Sequence, residues 1–104
     1  MRNVIIGLSL FALSAPVLSA EHLVSQKNNA FTVTNVKAKV GDEVSFKNDD
    51  AVSHNVFSLS DAASFDLGSY GQGASKKVKL EKPGKVEVEC AIHPSMKMTI
   101  DVSK

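Results

Sequence analysis

The chain has 104 residues, enough for one small domain, and carries 12 basic and 11 acidic residues with three histidines. So balanced a charge excludes the basic excess expected of a nucleic-acid binder. A single cysteine excludes an intrachain disulfide, and the absence of a helical apolar period argues against a bundle.

The first element is a leader. Arg2 supplies positive charge, Val4 to Ala15 form an apolar run, and Pro16 precedes the small residues Ser19 and Ala20. A run of about a dozen residues is short of the ~20 that span a bilayer as a helix. Residues 1–20 therefore read as a secretory signal, cut after Ala20 with Ser19 as the neighbouring option. This predicts a periplasmic protein with no stable membrane insertion once the signal is removed. The remaining domain, residues 21–104, has a formal charge of zero, because Arg2 is the only charged residue in the leader. His22 follows the cut without a positioned neighbour and reads as an exposed terminal residue.

Strand signals then follow one another. Val36, Ala38 and Val40 alternate with lysines before the turn residues Gly41 and Asp42. Val44 and Phe46 alternate up to the polar Asn48-Asp49-Asp50, and His54 to Leu59 reads as another strand. The stretch with Gly68, Gly71 and Gly73 reads as loop. Val78 and Leu80 alternate with Lys77, Lys79 and Glu81, and Pro83-Gly84 makes a turn. Val86, Val88 and Cys90 then share one face, and Met98, Ile100 and Val102 form the closing strand. Short strands at regular spacing predict an all-β antiparallel sandwich without a second domain. The lysines at 76, 77, 79, 82 and 85 form either a docking patch or, more simply, the solvated faces of two strands.

The chemistry gathers near the C-terminus, in Cys90-Ala91-Ile92-His93-Pro94-Ser95-Met96-Lys97-Met98, with a second histidine upstream in Ser53-His54-Asn55. An exported domain this small often needs a staple, and an unpaired exported cysteine needs an occupation. A metal supplies both. A thiolate, two imidazoles and a distant thioether are the ligands of a blue-copper electron-transfer centre. Zinc would accept Cys90, His54 and His93, but a thioether favours copper. A buried inert thiol, or a hydrolase with Cys90 as nucleophile and His93 as base, explains fewer of these residues. Three histidines are too few for a multicopper enzyme, so the chain reads as a non-enzyme.

These residues resemble the cupredoxins, the small blue-copper proteins of plastocyanin and amicyanin type. Asn48 to Val56 together with Cys90-x-x-His93-x-x-Met96 carries the resemblance. Phe65-Asp66-Leu67-Gly68-x-Tyr70 adds a likeness to plastocyanin-like proteins labelled methylamine-utilisation proteins. The resemblance implies a Greek-key β-sandwich of about seven or eight strands with one type 1 copper at one end. The ligands it implies are His54, Cys90, His93 and an axial Met96, with Met98 as the alternative. Met96 precedes Ile100 and Val102 by the spacing seen in the resembling proteins. Asn55 is expected to set its backbone near the thiolate and tie two loops together with its side chain. Ala91 offers no hydroxyl to that tie, whereas Ile92 keeps a backbone N–H that could reach the sulfur. The implied function is a monomeric one-electron carrier that meets redox partners near His93, through Ala51, Val52, Ile92 and Pro94. Copper storage or delivery is the alternative, and a metal-free interaction module a third.

Overall fold

Alternating side chains give each strand two faces, and the apolar faces close over one another as two sheets. The computed structural model describes residues 19–104, so the expected leader up to Leu18 lies outside the described residues. The strands are β1 (Glu21–Lys27), β2 (Ala30–Phe31), β3 (Asn35–Lys39), β4 (Glu43–Asn48), β5 (His54–Ser60), β6 (Ala63–Tyr70), β7 (Ser75–Lys79), β8 (Gly84–Glu89) and β9 (Lys97–Ser103). One sheet runs β2-β1-β4-β7 and the other β3-β9-β8-β5-β6. No helix occurs among the described residues. The fold is an all-β sandwich.

Two details depart from the sequence reading. The sandwich is mixed rather than antiparallel, because β1 pairs parallel to β4 and β3 parallel to β9. The cause is topological: the chain crosses between sheets after β2 and again after β3, so neighbours within a sheet are not consecutive and can run the same way. The Gly68 region is also strand up to Tyr70, where β6 pairs with β5. Gly68 sits at φ 75, which a residue without a Cβ adopts without strain, and the register slips opposite it between Asn55 and Phe57.

The core is the meeting of the two inner faces. Phe46 is fully buried, its ring edge-on to Phe31 at 6.3 Å and tilted against Phe65 at 6.4 Å. Val24, Val44, Val56, Val86, Val88 and Ile100 complete it, each with no exposed surface. Such closely packed interiors hold side chains to single positions, and that rigidity passes to whatever is built on the strand ends. A hairpin with Asn28 and Asn29 at φ 55 and 57 joins β1 to β2. Its tip, the β4–β5 loop and the β8–β9 loop carry the residues of interest.

One core position is out of keeping. Gln26 is fully buried, opposite Phe31 and Asn48 in its sheet, and neither of its amide atoms has a hydrogen-bond partner among the described residues. An unpaired buried amide is destabilising, and an apolar side chain of similar length removes the deficit. Gln26→Met is therefore expected to stabilise the protein by about 1–3 kcal/mol, read as a higher urea midpoint at constant slope. A lower midpoint would show that Gln26 has a partner role.

Candidate metal centre

Strands β8 and β9 pair antiparallel with Val88 opposite Met98 and Glu89 opposite Lys97. The ladder runs one step further, since the Cys90 N–H donates to Met96 O at 3.3 Å. Cys90 and Met96 thus face each other where the strands part, and Met98 lies one inward-facing pair deeper, against Val88. Between them the chain turns back on itself, with the Met96 N–H donating to His93 O at 2.9 Å. This turn brings His93 over the open end of the sandwich.

His54 arrives from the other side, as the first residue of β5. Its Nδ1 lies 3.9 Å from Cys90 Sγ, and its ring meets that of His93 edge-on, centroids 4.8 Å apart. The donor atoms of His54, Cys90 and His93 all fall within 4.8 Å of one another, the single such grouping of His, Cys, Asp or Glu among the described residues. His54 has no exposed surface, Cys90 and Met96 have 1% each, and His93 is half-buried. His93 Nδ1 is buried without a hydrogen-bond partner among the described residues. A ring nitrogen aimed into a pocket beside a thiol and a second imidazole is a donor in want of an acceptor. Bonds of about 2.0–2.3 Å to nitrogen and sulfur, as zinc makes, bring two donors on one ion close to these separations. The residues fit a transition metal, and the mixture of sulfur and imidazole suits copper.

The surroundings fix each of these groups. His54 Nε2 lies 2.9 Å from Asp50 Oδ2. An ionised carboxylate only accepts, so Nε2 carries the proton and Nδ1 turns its lone pair toward the sulfur. Asp50 stays ionised because the Asn29 N–H and then His54 bond its carboxyl, lowering its pKa to about 2. The turn between β1 and β2 thereby braces the histidine through one carboxylate. Asn48 holds the same loop from within, donating to Val52 O and Tyr70 O at 2.9 Å each and accepting the Asp50 N–H at 2.8 Å. Sequence reasoning missed Asp50 and Asn48, treating them as the polar end of a strand. The four-residue step from Asp50 to His54 was the available signal.

Asn55 joins the two halves. Its N–H donates to Cys90 Sγ at 3.4 Å, its Oδ1 accepts the Ala91 N–H at 2.7 Å, and its Nδ2 donates to Asp66 Oδ1 at 3.2 Å. The inter-loop tie expected to weaken at Ala91 is made by the Ala91 backbone and needs no hydroxyl. The expected N–H of Ile92 is not the sulfur's donor; Asn55 fills that role. Asp66 also accepts the Gly68 N–H at 2.9 Å, so β6 contributes a support that the loop reading of this region had hidden. Away from the site, His22 is bonded to Asp42 at 2.9 Å rather than free, and Lys77 pairs with Glu21 at 3.0 Å on a solvated strand face.

Comparison with known proteins agrees with this geometry. The family described as copper binding proteins, plastocyanin/azurin family, matches residues 19–103. The methylamine utilization protein MauL of Methylorubrum extorquens is 31% identical over 102 residues, which are 97% of this chain and 90% of that protein. Among solved structures, a purple cupredoxin from Nitrosopumilus maritimus superposes with a TM-score of 0.71 at 21% identity, covering 79% of this chain and 99% of its own. A reduced amicyanin variant gives 0.74 at 22% identity, covering 86% and 89%. At these identities the two structures speak to the fold alone.

Asn55→Ala cuts the links to Ala91 and Asp66 together while leaving the backbone N–H at the sulfur. The metal-free protein is expected to lose about 1–3 kcal/mol, the usual cost of unpairing buried polar groups, measured by urea unfolding. An unchanged midpoint would mean that the two loops hold their places without the asparagine.

Proposed function

The chain belongs to the plastocyanin/azurin family of copper-binding proteins, and from that premise we propose that it is an exported one-electron carrier whose single type 1 copper is held by His54, Cys90, His93 and Met96. The observation that carries this reading is the convergence of His54 Nδ1, Cys90 Sγ and the unpartnered His93 Nδ1 beside a buried Met96. Copper in such a set supplies a Cu(II)/Cu(I) couple. Everything else is done by the protein.

Cys90 and His54 are held at the ends of core strands, so they change little in position when the charge of the site changes. The Asn55 N–H moderates the negative charge on the sulfur, and Asp50 keeps the His54 proton on Nε2. Met96, opposite Cys90, closes the inner side against water. Met98, opposite Val88, serves the core. His93 is the half-buried member and reaches the surface among Ala51, Val52, Ile92 and Pro94, all exposed, with Val52 at 46% and Ile92 at 49%. A small apolar rim around an imidazole edge suits brief contacts between redox proteins. A leader ending at Ser19 or Ala20 would deliver a monomeric carrier to the periplasm. The name of the MauL relative makes methylamine utilization the first pathway to test.

Two experiments bear on this. Electron self-exchange in the copper-loaded protein is expected to slow tenfold or more in Ile92→Asp, since each encounter would bring two like charges together over the rim. The same change at the remote and 80% exposed Leu59 is expected to leave the rate alone. Equal rates in Ile92→Asp and wild type would remove the His93 window from the account. If Met96 supplies the thioether that would bind copper, Met96→Ala is expected to shift the reduction potential and the visible spectrum, while Met98→Ala lowers stability by about 2–5 kcal/mol with the spectrum intact. The reverse pattern would assign the thioether to Met98.

A further inference from the structure

We propose that the exported chain is cut between Ser19 and Ala20, so that the mature protein begins with the Ala20 ammonium docked on the Asp42 carboxylate. This rests on the reading of the leader as an export signal and moves the expected cut by one residue.

The far end of the sandwich carries the argument. Asp42 lies in the turn between β3 and β4 and is 7% exposed. Its Oδ1 accepts the Ala20 N–H at 3.0 Å, and its Oδ2 binds His22 Nε2 at 2.9 Å and the Lys39 N–H at 3.0 Å. Ala20 O in turn accepts the Glu43 N–H at 3.0 Å, one step ahead of the parallel register that opens with Glu21 beside Glu43. Ala20 is therefore bonded at both its backbone groups, whereas Ser19 before it is exposed and makes no hydrogen bond among the described residues.

The two neighbouring cuts have opposite consequences. Removal of Ala20 would leave the Glu43 N–H without its acceptor and Asp42 Oδ1 without its donor. It would also place the new ammonium on Glu21, whose backbone groups point to the other side of the strand, since direction alternates along β1. A cut before Ala20 keeps both bonds and replaces a neutral N–H with an ammonium facing a nearly buried carboxylate, which is the stronger arrangement. The leader sequence agrees. Cutting after Ser19 sets Ser19 and Val17 at the two positions that want small residues, and cutting after Ala20 would put the bulkier Leu18 at the second.

The test is to express the full chain with its leader, purify the protein from the periplasm, and determine its first residue by intact mass and N-terminal sequencing. Ala20 as first residue is expected. A chain beginning at Glu21 or at Ser19 overturns the proposal and leaves export standing. A chain found only in the cytoplasm with its leader intact overturns export itself, and a periplasmic chain that keeps the leader overturns the cut. The docking is read separately on two chains released from a fusion so as to begin at Ala20 or at Glu21. The Ala20 chain is expected to melt several degrees higher, and Asp42→Asn to remove most of that difference. Equal melting of the two chains overturns the docked terminus.

Discussion

A thiol sulfur and two imidazole nitrogens brought within 4.8 Å of one another are the constraint around which this protein is arranged. Left to themselves such groups would hydrate or repel. They stay together because each is fixed from behind: Cys90 by the end of β8 and the Asn55 N–H, His54 by β5 and Asp50, and His93 by the turn that Met96 closes. Of these groups, His93 Nδ1 is buried with no hydrogen-bond partner among the described residues. A metal makes that atom useful, and the family to which the chain belongs uses copper.

Three buried polar residues gather at one end of the sandwich. His54, Asn48 and Asn55 bond to one another's loops there, apart from the aromatic and aliphatic cluster formed by Phe31, Phe46 and the buried valines. This separation lets the apolar core supply stability and the polar end supply position. Asp50 shows the economy of the arrangement. One carboxylate takes the Asn29 N–H, the Ala51 N–H and the His54 proton, so a hairpin tip, a loop and a candidate ligand are bound to a single group. Tyr70 does a similar service for the sheets. Burial raises its pKa, keeping the phenol protonated, and it donates to Phe46 O at 3.1 Å.

Much of this was legible in the sequence, for physical reasons. Strands β3, β4, β7, β8 and β9 announce themselves because apolar residues alternate with charged or polar ones, and β5 because Val56, Phe57 and Leu59 form a short apolar run. The grouping of Cys90 with His54 and His93 was legible because a lone cysteine beside histidine and methionine has few other uses. Strand β1 was not, because its outward Leu23 is 65% exposed while its inward Gln26 is polar, which inverts the pattern that periodicity relies on. β6 was hidden by Gly68, whose φ serves the strand's irregularity rather than a loop. The parallel pairings could not be read at all, since they depend on the order in which the chain changes sheets. The roles of Asp50 and Asp66 escaped notice because Asp50 takes its second partner, Asn29, from a distant hairpin tip, and Asp66 reaches Asn55 only through the register shift between β5 and β6.

The central claim is that one copper ion sits among the sulfur of Cys90 and the ring nitrogens of His54 and His93. X-ray absorption at the copper edge of the loaded protein tests it most directly. The account predicts a close shell of one sulfur and two imidazole nitrogens, with the sulfur contribution gone in Cys90→Ser. A shell of nitrogen and oxygen alone in the wild-type protein would contradict it.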